Sequence, residues 1–174
     1  RLARNGKGVI LMTSEEIHDS SIVVDLHCHP AIKSSIFHRD LGSRKEKFLQ
    51  SLFKRSFWPL SNRASFPKVS DGGVDVLLST AYVPEGGWYT DMSLAKWLLL
   101  LAPKVRKQIY ESSYYDAICT LLDDVEKQAK DWNLNTENNR KIVHCTKPSM
   151  ILDAVKKDSI ALVHSVEGAH SIQG

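Results

Sequence analysis

Three residues carry the chemistry this sequence offers most plainly. His27 and His29 stand in the run SIVVDLHCHP, and Glu167 stands in IALVHSVEG. Alternate positions on a strand face one side and lie about 6.6 Å apart at Cα. Both imidazoles can therefore close on one cation at bond lengths of about 2.0–2.1 Å. A carboxylate at the end of a second strand can bridge two cations. The same spacing equally suits two hydrogen-bonded histidines and a surface glutamate leading into a loop, because an isolated His-x-His is no signature by itself. By alternation Asp25 shares a side with His27 and His29, one pleat deeper, where it would orient a ligand as a supporting carboxylate.

Such residues meet only if strands bring their C-terminal ends together, which is where sites gather in parallel α/β architectures. The run 21–29 reads as a strand with apolar side chains on both faces near its start, hence a buried strand of a parallel sheet that Pro30 ends. A second strand spans 74–83, bracketed by Gly72-Gly73 and Pro84-Glu85-Gly86-Gly87. From Val105 to Trp132 apolar residues recur in steps of three and four, with Asp123, Asp124, Lys127 and Lys130 opposite, which predicts an amphipathic helix. A short strand is expected over 142–145. Thr146 then caps a helix that has Pro148 in its first turn and Met150, Ile151, Ala154 and Val155 on its inner side. Ile160 to Glu167 is the last buried strand, ended by Gly168. Residues 33–70 resist reading. Their basic cluster (Arg39, Arg44, Lys45, Lys47, Lys54, Arg55) is expected to be a solvated surface rather than a phosphate patch, since Asp40 and Glu46 interrupt it. The order of elements gives an α/β class with a parallel sheet.

The chain has 174 residues, 43% hydrophobic and 25% charged, enough for one domain with its own core. It is too short for a complete (β/α)8 barrel, which takes about 250 residues. A net charge of +3 is a weak field that does not by itself argue for nucleic acid or an anionic membrane, and the basic residues are not interleaved with a stacking platform, so no nucleic-acid partner is expected. Cys28, Cys119 and Cys145 form no CxxC and fit free thiols in a reducing compartment. No apolar run approaches the roughly 18 residues of a membrane span; the longest, Trp97 to Ala102, lies between Lys96 and Pro103. The basic start has no apolar segment directly after it, so no signal peptide is read and a cytoplasmic location is expected.

The strings DLHCHP, DGGVDVLLSTAYVP and ALVHSVEGAHSI, in this order and spacing, resemble the renal/membrane dipeptidase family of the metal-dependent amidohydrolase superfamily. The last is the most specific: it is similar to a strand-three signature in which Val-Glu-Gly is followed by a small residue, His and Ser. The lead-in SMILDAVKKDSIAL also resembles that family, and the likeness covers about residues 21–173. It implies the N-terminal part, about strands 1–3, of a TIM (β/α)8 barrel. Residues 1–20 would be an N-terminal extension and 21–174 barrel strands with intervening helices, in one incomplete domain whose remainder is missing. The resemblance also implies a binuclear, usually zinc, centre, with His27 and His29 as first-strand ligands and Glu167 as the bridging carboxylate. The implied activity is hydrolysis of a dipeptide's amide bond by a metal-bound hydroxide, only with the missing C-terminal part. Further histidines, a substrate-binding Arg and a proton-shuttling Asp belong there.

Two positions depart from the family pattern. The usual first-strand motif is His-x-Asp, whereas this chain has His-x-His, which removes one negative charge beside the metal. Ala169 stands where a second Gly is usual. His144, His164 and His170 are expected to take no part in the centre, His170 making a structural hydrogen bond, and His18 and His38 to lie at the surface. The implied partners are a dipeptide or related small amide and either a second copy, as a homo-oligomer, or a complementing chain. The competing readings are a non-catalytic truncated barrel fragment and an amidohydrolase acting on another amide or a lactone, which His-x-His favours.

Overall fold

The computed structural model describes residues 3–5, 8–10, 12–37, 40–44, 64–83 and 112–172. Near the N-terminus β1 (Ala3–Asn5) and β2 (Gly8–Ile10) pair antiparallel, apart from the main sheet. Helix α1 (Ser14–Asp19) follows, opened by a capping box. The Thr13 hydroxyl accepts the Glu16 N–H at 3.2 Å, and the Glu16 carboxylate accepts the Thr13 N–H at 2.7 Å. The segment read as an extension thus has short elements of its own.

The main sheet has β3 (Val24–Cys28), β4 (Val76–Tyr82), β5 (Ile142–His144) and β6 (Ile160–Glu167), all parallel, in the order β3-β4-β6-β5. The α/β class and the parallel sheet stand as read. β3, β4 and β6 lie side by side in chain order, while β5 pairs with β6 over Ile160–Leu162. Between the strands run α2 (Pro30–Phe37), α3 (Phe66–Asp71), α4 (Tyr114–Leu134) and α5 (Pro148–Lys156), with a 3-10 turn at Ala169–Ser171 after β6.

Strand alternation builds two layers on this sheet. Leu77, Ala81, Ile142, Ile160 and Leu162 face one way and pack with Phe66 of α3 and with Ala117, Ile118, Leu121, Val125, Ala129 and Trp132 of α4. These α4 positions are the stripe read from the sequence, and each large one contributes about 1.5–3 kcal/mol by leaving water. Ser113 caps the helix by accepting the Asp116 N–H at 3.1 Å, and the Trp132 indole N–H donates to the Arg140 carbonyl at 2.9 Å. On the other face Val76 and Ala161, with Leu78 and Val163 beside them, meet Ala154, Ile151 and Val155 of α5.

A buried clamp closes the N-terminal edge of the sheet. Arg140, 8% exposed, donates to Asp75 Oδ1 at 2.6 Å, Asp158 Oδ1 at 3.0 Å and the Val74 carbonyl at 3.0 Å. Asp75 in turn accepts the Val23 N–H at 2.9 Å. One guanidinium and the carboxylates of Asp75 and Asp158 thereby tie the residues that enter all four strands.

Several expectations need correction. β3 is an edge strand rather than a buried one: its β4 side alone has a strand neighbour among the described residues, and Val24 and Leu26 are 44% and 70% exposed. Pro30 opens α2 besides ending β3, and α2 and α3 occupy ground that resisted reading. Thr146 does not cap α5. Proline forces its predecessor into extended backbone, so the cap falls on Lys147, and the Thr146 hydroxyl points to Met150 Sδ at 3.7 Å. Met150 is correspondingly exposed instead of inward. Of the basic cluster, Arg44 forms a forked pair with Asp71 at 2.6 and 3.0 Å, which holds the Asp71 carboxyl below its ordinary range through those hydrogen bonds. Its other members, His38, Trp97–Ala102 and the Val105–Glu111 part of the helical stripe lie outside the described residues. No described helix is long and apolar enough to cross a membrane.

Candidate metal centre

The path of β3 explains how its two histidines reach one point. Asp25 lies opposite Leu77 and Cys28 opposite Ser79, so three steps on β3 match two on β4: a bulge. The Asp25 carboxylate accepts the His27 N–H at 3.1 Å, a local turn that absorbs the extra residue. The bulge breaks the alternation read from the sequence. Leu77 and Ser79 share a side, so Asp25 and Cys28 do too, and Asp25 steadies His27 through its backbone rather than its ring.

His27 Nε2 and His29 Nε2 lie 3.0 Å apart, with their rings edge to face. Glu167 Oε2, from the end of β6, is 3.5 Å from the first and 3.3 Å from the second. β4 lies between the two strands and sets this meeting. The His29 Nδ1–H donates to the Thr80 carbonyl at 3.1 Å, and below the rim the hydroxyls of Thr80 and Ser165 share a hydrogen bond at 2.8 Å. All three expected ligands therefore converge at the C-terminal ends of parallel strands.

The donor set fits a tetrahedral cation. Zinc–nitrogen bonds of about 2.0–2.1 Å set neighbouring donors about 3.3–3.4 Å apart, and the three separations here are 3.0, 3.3 and 3.5 Å. The bond to Thr80 commits the His29 proton to Nδ1 and leaves a lone pair on Nε2, the arrangement found behind metal-bound imidazoles. The side chains of His27, His29 and Glu167 are 58%, 31% and 48% exposed, so a small molecule has access to the rim. Cys28 is no ligand. Burial, with the Asp25 charge adding, pushes its thiol up to about 12, and it donates to the Leu78 carbonyl at 3.3 Å.

The loop after Glu167 is fixed from behind. Gly168 has φ +93°, and His170 reaches back so that its Nε2–H donates to the Val83 carbonyl at 2.9 Å while its ring meets Tyr114 edge to face. The expected structural role of His170 is what is found. His18 is surface-exposed, beside Asp19 at 3.5 Å.

A second convergence was not anticipated. Glu126 of α4, His144 of β5 and His164 of β6 bring donor atoms within 4.8 Å of one another. Their separation in the sequence hides them. The usable signal is alternation, which puts His144 and His164 on the side that α4 covers, together with the position of Glu126 one residue past the buried Val125.

Compared with family models, curated proteins and solved structures, the chain matches none of them.

Proposed function

We propose that His27, His29 and Glu167 hold a divalent cation, zinc by donor chemistry, and that the chain supplies this part of a metal-dependent hydrolase acting on dipeptides or related small amides. The observation that carries the reading is the convergence of two imidazole nitrogens and one carboxylate oxygen, 3.0–3.5 Å apart, at the exposed C-terminal rim of β3 and β6, with β4 between them. Under this reading β3, β4 and β6 are the first three strands of a (β/α)8 barrel; their chain-order adjacency supports it. The resemblance to the renal/membrane dipeptidase family supports the substrate class.

A cation held there supplies Lewis acidity and draws the pKa of water toward neutrality. The remaining work falls to the chain. His29 presents Nε2 because Thr80 keeps its other nitrogen protonated. Asp25 sets the turn that carries His27 to the rim. Glu167 brings the negative charge, and its second oxygen gives it the means to bridge to a second ion. The hydroxyls of Thr80 and Ser165 make a polar floor on the same face of the sheet. The His-x-His departure keeps another amide or a lactone as the second substrate class.

The test is metal content by mass spectrometry after zinc loading and desalting, for the chain and for its His27→Ala and Glu167→Gln variants. The original chain is expected to retain zinc and each variant to lose occupancy. Equal content in all three would remove these ligands and the reading with them. Hydrolysis of a dipeptide and lactone panel then distinguishes the substrate classes.

A further inference from the structure

We propose that Glu126, His144 and His164 form a second site for a divalent transition-metal cation of the zinc class, a structural clip that pins α4 to β5 and β6. It is independent of the reading given to the first cluster. His144 Nδ1 lies 3.2 Å and His164 Nε2 3.5 Å from the same oxygen, Glu126 Oε1. These separations bracket the donor spacing of a tetrahedral zinc, about 3.3–3.4 Å. The two rings are 4.5 Å apart at their centroids and tilted by 52°.

The state of His164 points to a ligand. Both of its ring nitrogens are buried; Nδ1 makes no hydrogen bond, and Nε2 meets the Glu126 carboxylate at the long distance of 3.5 Å. Buried polar atoms in folded proteins are nearly always satisfied, and each exception calls for an explanation. A neutral imidazole offers a lone pair, which suits a cation of intermediate softness. The other Glu126 oxygen faces Lys130 at 3.9 Å, so Oε1 is the one turned inward.

Position gives the site its role. His164 stands three residues before Glu167 on one strand, so alternation puts the two on opposite faces of the sheet. The first cluster is an exposed rim; the second lies between sheet and helix, its side chains 12–33% exposed. Its three ligands come from three elements, so a bound cation cross-links the layer that α4 forms over the sheet.

Cobalt(II) titration of the full chain, read by the visible absorption of tetrahedral cobalt, tests this. The His27→Ala/His29→Ala/Glu167→Gln variant lacks the first cluster and is expected to bind one equivalent, with a rise in thermal midpoint. Adding His144→Gln and His164→Gln should abolish both effects. Adding Glu126→Gln alone, which preserves shape, should weaken binding at least tenfold. If the triple variant develops no cobalt band, or if Glu126→Gln leaves its affinity unchanged, the second site is overturned. The two double-histidine variants, each in an otherwise unchanged chain, distinguish one site from the other: failure of the first cluster alone leaves one equivalent that only His144 and His164 control.

Discussion

Replacing Gly168 by alanine tests how the end of β6 is built. At φ +93° and ψ 106° the backbone is in a region that L side chains rarely adopt, and holding one there costs about 1–3 kcal/mol. The added Cβ would also lie 2.5 Å from Cε1 and 2.8 Å from Nδ1 of His170. That ring has to move, which gives up its hydrogen bond to Val83, worth about 1 kcal/mol. Its contact with Tyr114 at 5.1 Å goes too, worth about 0.5–1.5 kcal/mol beyond burial. The total is about 2.5–5.5 kcal/mol. At about 2–4 °C per kcal/mol for a domain of this size, the thermal midpoint should fall by about 10 °C.

Circular dichroism melts of four proteins separate the two causes. Against a His170→Ala background the ring is gone, so Gly168→Ala should cost only the backbone part, about 1–3 kcal/mol. A melt of Gly168→Ala within about 2 °C of the original chain would refute the reasoning outright. Equal penalties with and without His170 would refute the clash and leave only the dihedral argument.

Three further outcomes follow from the same geometry. Arg140→Ala leaves Asp75 mostly buried without its partner, so it should cost about 3–5 kcal/mol, the range for breaking a buried pair. Replacing Asp75 as well should add only the loss of its Val23 hydrogen bond, less than the same replacement costs in the original chain; strictly additive losses in denaturant melts would contradict the clamp. Cys28 holds its proton up to about pH 12, so at pH 8 only about one thiol in ten thousand is thiolate. Its alkylation rate should therefore climb about tenfold per pH unit through pH 10, and a plateau near pH 8.5 would contradict the burial argument. Leu26 is 70% exposed on a strand that has one strand neighbour among the described residues, which invites edge pairing between copies. Leu26→Lys should shift sedimentation toward the monomer, and an unchanged distribution would show that this edge drives no association.

The strands were legible because their patterns are local. Ile160 to Glu167 is buried at its start and bracketed by turn residues, and the observed strand has those limits. The α4 stripe from Ala117 to Trp132 was legible for the same reason. What stayed hidden depends on partners. The burial of β3 could not be read because an edge strand and a central strand share one composition. Thr146 has the residue type of a cap, yet the constraint that Pro148 places on Lys147 outranks side-chain preference. Asp25 falls on the other side from the one alternation gives, because a bulge of one residue reverses everything before it. The second cluster joins α4 to two strands through pairings that no local pattern specifies.

The first cluster's charge connects this chain's departures to its chemistry. Under the proposed reading, two neutral imidazoles and one carboxylate surround a divalent cation, leaving a net charge of +1. The His-x-Asp pattern of the resembled family would leave none. Asp25 does not restore the balance, because the bulge puts it on the side of Cys28 and spends its carboxylate on the His27 backbone. A cation with less negative charge around it is the stronger Lewis acid and the less tightly held one. Removing Glu167, the sole carboxylate among the three donors, should then weaken metal retention more than removing either imidazole.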